Sequence, residues 1–289
     1  MSPMSTPTVI ETADRTAAEG SPSRPTGGPV GLLAAQVGAE LRQMVRVPEY
    51  LVGIVGVPVI LYAMFGLSNA GQRLPGGTDV GAMLVASFSA YAVVSLAIFT
   101  FGVDVAAERG RGWLRRLRCT PMPMWAYFAA KIAAALLLTV LIYVLVWALA
   151  IGAAGVPFEV GPAVRTLGAL LVGTVAFAPM GFGLAFLARP KAAAAIGNLL
   201  FLPLSFVSGF FTSLSSLPQI LRDVAPYLPT YHFGLLVWGG VAPAGDVQRF
   251  NGIDPGPAAP QLVWLAATFL LFGALAAWGY ARDARRERE

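Results

Sequence analysis

Charged residues are scarce in this chain, and their scarcity is the first constraint on its fold. Asp, Glu, Lys and Arg make up 12% of the 289 residues, whereas 56% are hydrophobic. A soluble globular domain carries about 25% charged residues to solvate its surface. The composition therefore excludes a soluble enzyme and predicts a polytopic membrane protein.

Cysteine, histidine and lysine are also rare, and each shortage excludes a kind of site. One cysteine (Cys119) cannot form an internal disulfide, and one histidine (His232) cannot build a multi-histidine zinc site. A phosphate-binding P-loop needs a lysine between glycine and serine or threonine, but Lys131 and Lys191 stand in Ala-Lys-Ile and Pro-Lys-Ala. We therefore expect no catalytic residue, metal or cofactor in this chain, and any ATP must bind another polypeptide.

The net charge of +5 is scattered between apolar blocks, which argues against a nucleic-acid binder with a folded basic domain. Residues 1–30 lack the apolar core of a signal peptide, and their Ser, Thr, Pro, Gly and Ala content predicts a disordered cytoplasmic tail. Residues 31–48 predict an amphipathic helix at the membrane interface, although an ordinary helix packed on protein fits the periodicity equally well. Its apolar side would carry Leu33, Val37, Leu41, Met44 and Val45.

Six uncharged stretches are long enough to cross about 30 Å of hydrocarbon, which takes roughly 20 residues. They predict an all-α transmembrane domain over residues 49–282 with six spans. The spans are Tyr50–Ala70, Val80–Val103, Ile132–Phe158, Thr166–Ala188, Ala192–Thr212 and Ala258–Ala281. Lys131, just before the third span, is expected to extend toward the headgroups.

A seventh uncharged stretch, Val224–Gly245, mixes prolines, glycines and aromatic residues, and suits a re-entrant segment better than a span. Charge placement supports this choice. With six spans and a cytoplasmic N-terminus, 16 of the 20 Lys and Arg residues lie inside, including those of the tail 283–289. Only Arg73, Arg165, Arg222 and Arg249 lie outside.

No charged residue lies near the centre of a predicted span. Such a residue is costly in the membrane and usually marks an ion or proton path. Its absence argues against an ion-coupled transporter and against a membrane enzyme with buried acid–base chemistry.

The second cytoplasmic connection, residues 104–124, reads DVAAERGRGWLRRLRCTPMPM and holds five arginines. Trp113, Leu114 and Leu117 lie at helical spacing, so a short helix with an apolar edge and a charged edge is predicted. On the cytoplasmic face it would offer a partner protein an aromatic anchor and arginine contacts. The alternative is a basic loop that only sets topology.

The run Glu108–Pro121 resembles the E-R-x-x-G-x-L-x-x-L-x-x-T-P signature of ABC-2 type permeases, the membrane subunits of ATP-binding-cassette exporters. This resemblance implies that residues 104–121 form the helix that couples the permease to the ATPase subunit. Trp113 stands where the family often has a small polar residue. The implied coupling residues are Glu108, Arg109, Gly112, Trp113, Leu114, Arg115, Leu117, Thr120 and Pro121.

A second resemblance lies at the end of the fifth predicted span. Residues 208–218 are similar to the family's G-x-F-x-P-x-x-x-L-P element, with Thr212 in place of the proline, and Leu228–His232 is similar to the L-P-x-x-H element of small bacterial members, including drug-resistance types. The resemblance implies short re-entrant helices over 208–245. Candidate substrate-path residues there are Gly209, Phe210, Phe211, Leu217, Pro218, Pro229 and His232.

His232 could bind substrate or sense pH, but a role in capping a backbone carbonyl or in packing is favoured because no acid or second histidine is near it in sequence. Trp238 and Tyr231 are interpreted as anchors in the aromatic belt of the membrane interface. An apolar path along the second and fifth spans would use Phe88, Tyr91, Phe99, Phe201, Phe206, Phe210 and Phe211.

The resemblance implies a permease in the bacterial plasma membrane with both termini in the cytoplasm. It would work as a dimer, from two copies or with a homologue, and with ABC ATPase subunits, and it would export a lipophilic drug, lipid or related compound. Two alternatives stay open: a transporter or channel that does not use ATP, and a membrane scaffold or immunity protein.

Overall fold

The computed structural model describes residues 29–47, 51–120 and 122–286, and the described residues form helices and connecting segments with no β-strand. Residues 1–28 of the predicted tail 1–30, residues 48–50, Pro121 and the last three residues lie outside this range. The all-helical prediction is confirmed for the described chain. In chain order the helices are α1 (Pro29–Val45), α2 (Val52–Asn69), α3 (Val80–Gly110), α4 (Trp113–Arg118), α5 (Met124–Ala154), α6 (Val160–Leu187), α7 (Ala193–Val207), α8 (Gln219–Val224), α9 (Pro229–Val241), α10 (Ala244–Asn251) and α11 (Ala258–Arg286).

Five of these helices, α2, α3, α5, α6 and α11, are long and apolar enough to cross a membrane. They coincide with five of the six predicted spans. The fifth predicted span corresponds to α7, which is apolar but has 15 residues and a length of about 22 Å. The stretch rejected as a seventh span contains α9, a helix of 13 residues.

Helix α3 lies at the centre of the bundle and is almost completely buried. It packs against α5, α6, α7 and α9, and its residues Leu96–Asp104 form wide π-helical turns. Its closest approach is to α6, where Gly181 faces the backbone of Ala97; a β-carbon at Gly181 would lie 2.0 Å from the Ala97 carbonyl oxygen. Small residues permit such close crossings between membrane helices.

The connecting segments gather at two ends of the bundle. The connector end carries residues 111–123, the turn 188–192 and the last turns of α11, and α1 packs beside it on α5. The far end carries the loops 70–79 and 155–159 together with residues 208–257, which hold α8, α9 and α10. Of the predicted apolar side of α1, Met44 is buried but Val45 is exposed.

Candidate functional site

The connector comprises residues 111–123 between α3 and α5. The predicted coupling helix, residues 104–121, is not one continuous helix in the structure. Residues 105–110 continue α3, and the chain then reverses at Gly112, which adopts φ +72°. This left-handed conformation favours glycine, which commonly ends a helix. α4 follows immediately, so the connector presents one separate short helix at the end of the longest buried span.

Helix α4 has two distinct faces. Leu114 and Leu117 are buried against the bundle, whereas Trp113, Arg115 and Arg116 are exposed. Trp113 is 43% exposed, whereas a large aromatic side chain is usually more deeply buried. Arg115 and Arg116 follow it closely in the sequence. The leucines thus fix the helix in place, and the outward face offers an aromatic ring and two cations, the side chains enriched where proteins bind one another.

Two arginines, Arg109 at the end of α3 and Arg118 in the connector, tie this region to other helices. Arg109 donates hydrogen bonds from Nη1 to the Phe186 carbonyl at 2.8 Å and from Nη2 to the Ala188 carbonyl at 2.5 Å, and its Nη1 lies 3.6 Å from Asp283 Oδ1. Arg118 stacks over the Tyr280 ring at 4.8 Å. Arg109 thus joins the end of α3 to α6 and α11, and Arg118 joins the connector to α11.

Glu108 does not belong to the exposed face of the connector. It is buried, and its Oε1 lies 2.9 Å from Lys131 Nζ on α5, while Tyr127 Oη donates a hydrogen bond to its Oε2. Lys131 Nζ also lies 3.0 Å from Glu40 Oε2 on α1. This buried cluster of Glu40, Glu108, Tyr127 and Lys131 joins α1, α3 and α5.

The expectation that Lys131 extends toward the headgroups is wrong. α5 begins at Met124 instead of after Lys131, so the lysine lies two turns inside the helix and is 2% exposed. Its charge is neutralised by carboxylates 23 and 91 residues away in sequence. The sequence contains one indication that Lys131 is buried. Glu40 is an acid on the same side of α1 as the apolar Val37 and Met44, and a buried acid needs a partner of opposite charge.

The connector ends at a small turn. Thr120 Oγ1 donates to the Leu117 carbonyl at 2.6 Å and thereby caps the last turn of α4. Cys119 next to it is exposed and free. The last coupling residue of the predicted set, Pro121, lies outside the described residues.

The candidate substrate-path residues at the far end do not form one cluster in the structure. Gly209, at φ +84°, turns the chain after α7 and has Leu214 and Asn251 as neighbours. Phe210 is buried against Phe233 and Trp238, whereas Phe211 packs beside the half-exposed Phe206 at 4.6 Å. Leu217 packs on the core, and Pro218 and Pro229 precede and begin the helices α8 and α9.

His232 lies between α9, α11 and the turn at Pro226. Its Nε2 is 2.9 Å from the Pro226 carbonyl oxygen, and its Nδ1 is 2.7 Å from Gln261 Oε1, whose amide nitrogen donates to Pro255. Each ring nitrogen of His232 therefore faces an oxygen atom within hydrogen-bond distance. The ring also stacks on Trp264 at 4.5 Å. His232 therefore holds three segments together at the far end.

The interpretation of Trp238 and Tyr231 as interface anchors is wrong, because both are buried inside the chain. Trp238 donates from Nε1 to Ser87 on α3 at 2.9 Å. Six of the seven aromatic residues predicted for a substrate path form a connected set in which Tyr91 contacts Phe201 and Phe211, whereas Phe210 contacts Phe233 and Trp238 instead. Four of the seven are buried in this conformation: Phe88, Tyr91, Phe201 and Phe210.

Asp246 on α10 is a buried far-end residue that sequence reasoning missed. Its carboxylate accepts hydrogen bonds from the backbone amides of Gly76 at 2.6 Å and Thr78 at 3.1 Å. Burial alone would raise the pKa of Asp246, but the hydrogen bonds from Thr78 and Gly76 outweigh burial and lower it. The residue fastens the loop between α2 and α3 to the far-end helices.

Comparisons with known proteins address the chain as a whole. The model of the ABC-2 type transporter family matches residues 32–239, a range that includes α4 and most of α9. A curated relative from Bacillus subtilis (strain 168), named "Putative transport permease YvfS", is 24% identical over 211 residues. The match covers 72% of this chain and 85% of the relative.

Proposed function

The chain belongs to the ABC-2 type transporter family and is a multi-pass membrane transport permease, and from this premise we propose that it is the membrane subunit of an ATP-driven exporter. A separate ABC ATPase binds α4, and its nucleotide-driven movement changes which side of the permease is open. The observation that carries this proposal is the exposed face of α4, which presents Trp113, Arg115 and Arg116 while Leu114 and Leu117 are buried.

The contacts of the connector support its role in coupling. A displacement of α4 acts directly on α3 through the two-residue joint at Arg111 and Gly112. Arg109 passes the displacement to α6 and α11, and Glu108 passes it to α5 and α1 through Lys131. One docking event can therefore tilt several spans together.

The proposed topology keeps six spans, with α7 as the fifth, and the connector end in the cytoplasm of a bacterial cell. The basic residues of the connector and of α11 favour this orientation. Helix α9 is proposed as a re-entrant helix: its Phe233 packs on Gly173, about 20 Å from the start of α6, while its Gly240 packs on Thr166 near that start. The helix thus runs beside α6 within the depth of the membrane and does not cross it.

We place the dimer contact and the substrate path along α7. This helix exposes Leu199, Leu202 and Phe206, and its buried side packs on α3 next to Phe99 and Phe201. An opening between two copies would expose the aromatic set, which suits a lipophilic drug or lipid. The partner is a second copy or a homologue.

A transporter driven by ions is the main alternative, and the buried cluster around Lys131 is the feature that could serve it. The cluster lies beside the connector end and is not at the middle of a span, where coupling ions usually bind. A scaffold or immunity protein would bind a partner without moving substrate, and the export assay below distinguishes it.

The test is co-purification of a co-expressed candidate ABC ATPase, using the permease with Trp113→Ala, Arg115→Ala and Arg116→Ala combined. We expect about tenfold less ATPase to co-purify, because exposed Trp and Arg side chains dominate many interfaces. Export of a panel of lipophilic dyes from cells should fall in parallel. The matched control is Arg222→Ala with Tyr227→Ala, two exposed residues at the far end.

Unchanged ATPase binding by the triple variant would reject α4 as the docking helix. Reduced binding with undiminished dye export would reject the exporter, since transport would then not depend on the ATPase. Glu108→Ala is unsuited to this test because Glu108 is buried, and its loss would disturb the Lys131 cluster instead of the docking face.

A further inference from the structure

An apolar groove runs along the outside of the bundle between α5 and α11. Both helices pack on α6, which forms the floor of the groove. The groove has a volume of about 870 Å³ and is lined by carbon-rich side chains from all three helices. Val172 and Val175 lie on its floor, Leu137 belongs to one wall, and Leu262 and Leu270 to the other.

A smaller and more polar cavity of about 290 Å³ adjoins the far end of this groove. The two spaces share Val172 and Leu262 in their linings, so they lie side by side, and we refer to the two together as the depression. Arg165 and Gln261 line the polar part. Arg165 and Val172 are seven residues apart on α6, so both lie on the same side of the helix, about 10 Å apart along its axis.

Arg165 is the cation of this depression. Its Nε donates to the Gly240 carbonyl at 3.2 Å, which holds the side chain over the cavity. Arg165 forms no ion pair with any residue in the described part of the chain. Its guanidinium therefore keeps donors for an anionic group, at the end of a groove that otherwise offers only hydrocarbon.

We propose that this depression binds an anionic phospholipid of the far-side leaflet, with the phosphate at Arg165 and one acyl chain along α6. The protein places a cation at the far end and an apolar groove toward the membrane interior. A phospholipid has the matching arrangement, with a phosphate at the surface and acyl chains in the interior. The groove walls belong to spans whose outward side chains are exposed, among them Leu262 and Leu270. Lipid surrounds the protein at that place, and an anionic headgroup supplies the negative charge that would pair with the Arg165 guanidinium.

This site is separate from the path proposed for the substrate. The groove is formed by α5, α6 and α11, whereas the proposed path follows α7 and the aromatic residues of α3. The lipid-binding proposal therefore holds or fails independently of ATP use and of export.

The experiment is native mass spectrometry of the full chain released from nanodiscs with equal amounts of phosphatidylglycerol and phosphatidylcholine. We expect wild-type protein to retain phosphatidylglycerol in preference to phosphatidylcholine by about fivefold, as one Arg–phosphate attraction near a membrane surface supplies. Arg165→Gln should abolish most of this preference. Arg73→Gln, a far-end cation that lines neither cavity, should retain it.

A second pair of variants tests the acyl-chain part. Val175→Trp should fill the groove and reduce the retention of both lipids severalfold, as expected when a groove of this kind is blocked. Val144→Trp, an exposed α5 position outside the groove, should leave retention unchanged.

Three results would overturn the proposal. These are a wild-type protein that retains no lipid, an Arg165→Gln protein that retains the wild-type ratio, and a Val175→Trp protein that retains as much lipid as wild type. Cross-linking also tests for another occupant: a Cys119→Ser, Leu137→Cys chain that forms disulfide-linked dimers in membranes would show a second copy in the groove instead. Absence of such dimers together with selective lipid retention supports the lipid.

Discussion

At the residue scale, Lys131 shows how a membrane permease can bury a charge. The ammonium group is enclosed by two carboxylates and by the Tyr127 ring at 5.2 Å. A buried cation is tolerated only when such partners offset the loss of water, and removal of one member leaves the others uncompensated. Each of the three elements that meet there thus depends on the other two.

Lys131→Met is expected to destabilise the protein by about 3–5 kcal/mol, because Glu40 and Glu108 would face each other without a cation. The measurement is the free energy of unfolding of the purified chain in detergent, followed by tryptophan fluorescence. Lys191→Met, at an exposed position in the turn after α6, serves as the control and should change stability by less than about 0.5 kcal/mol. Equal stabilities for the two variants would contradict the assignment, and adding Glu108→Gln should partly rescue Lys131→Met.

Asp246 gives a prediction about pH. Its pKa in the folded protein lies below the ordinary value of 3.8, so its contribution is complete at neutral pH and is lost as the pH falls through the lowered pKa. We expect the amides of Gly76 and Thr78 to keep their protection from hydrogen exchange, corrected for intrinsic rate, down to about pH 4 and to lose it below. Asp246→Asn should give weaker protection without this acid transition. A transition of the same size in the variant would assign it to another group.

Local pattern explains which of these residues could be predicted. Helical spacing places Trp113, Leu114 and Leu117 on one apolar edge, and the structure buries the two leucines of this edge but leaves Trp113 exposed. The pairing of Lys131 with Glu40, and of Asp246 with Gly76, joins positions 91 and 170 residues apart. No local periodicity carries information about such contacts, so a single sequence cannot supply them.

At the scale of elements, glycine determines how closely α3 and α6 approach. Gly181 faces the Ala97 backbone and leaves no room for a side chain. At Gly183, two residues further along α6, an added β-carbon would lie 4.0 Å from its nearest neighbour. The two positions lie on the same helix at similar depth. They therefore form a matched pair for testing the crossing.

Gly181→Ala should destabilise the chain by about 1–3 kcal/mol, because the added methyl group forces the two backbones apart. Gly183→Ala should be neutral or slightly stabilising, since alanine costs less conformational entropy than glycine. Thermal unfolding of both variants in the same detergent is the measurement. If Gly181→Ala melts at the temperature of Gly183→Ala, then α3 and α6 do not cross as described.

The apolar stretches predicted the elements better than their ends. Hydropathy locates the five long helices within several residues, but it begins α5 eight residues late because Lys131 interrupts the uncharged stretch. It also made the fifth span longer than α7, which ends at Val207, where Gly209 takes a positive φ and the chain turns. The break of the connector at Gly112 likewise needs a backbone angle, which composition does not specify.

At the scale of the whole molecule, the orientation in the membrane decides whether the connector can meet a cytoplasmic ATPase. The positive-inside rule assigns the connector to the cytoplasm from the arginines of residues 104–124 and of the tail. Nothing in the packing of the helices depends on this direction. A chemical label is therefore the appropriate test, and the chain carries a suitable reporter.

Cys119 is the single cysteine of the sequence and is exposed in the connector. A membrane-impermeant maleimide should leave it unmodified in intact cells and should modify it in inside-out vesicles. The matched control is Cys119→Ser with Ser215→Cys, which moves the thiol to an exposed position at the far end and should reverse the pattern. Labelling of Cys119 in intact cells would place the connector outside the cell, where an ATPase has no ATP. That result would reject both the proposed topology and the coupling proposal.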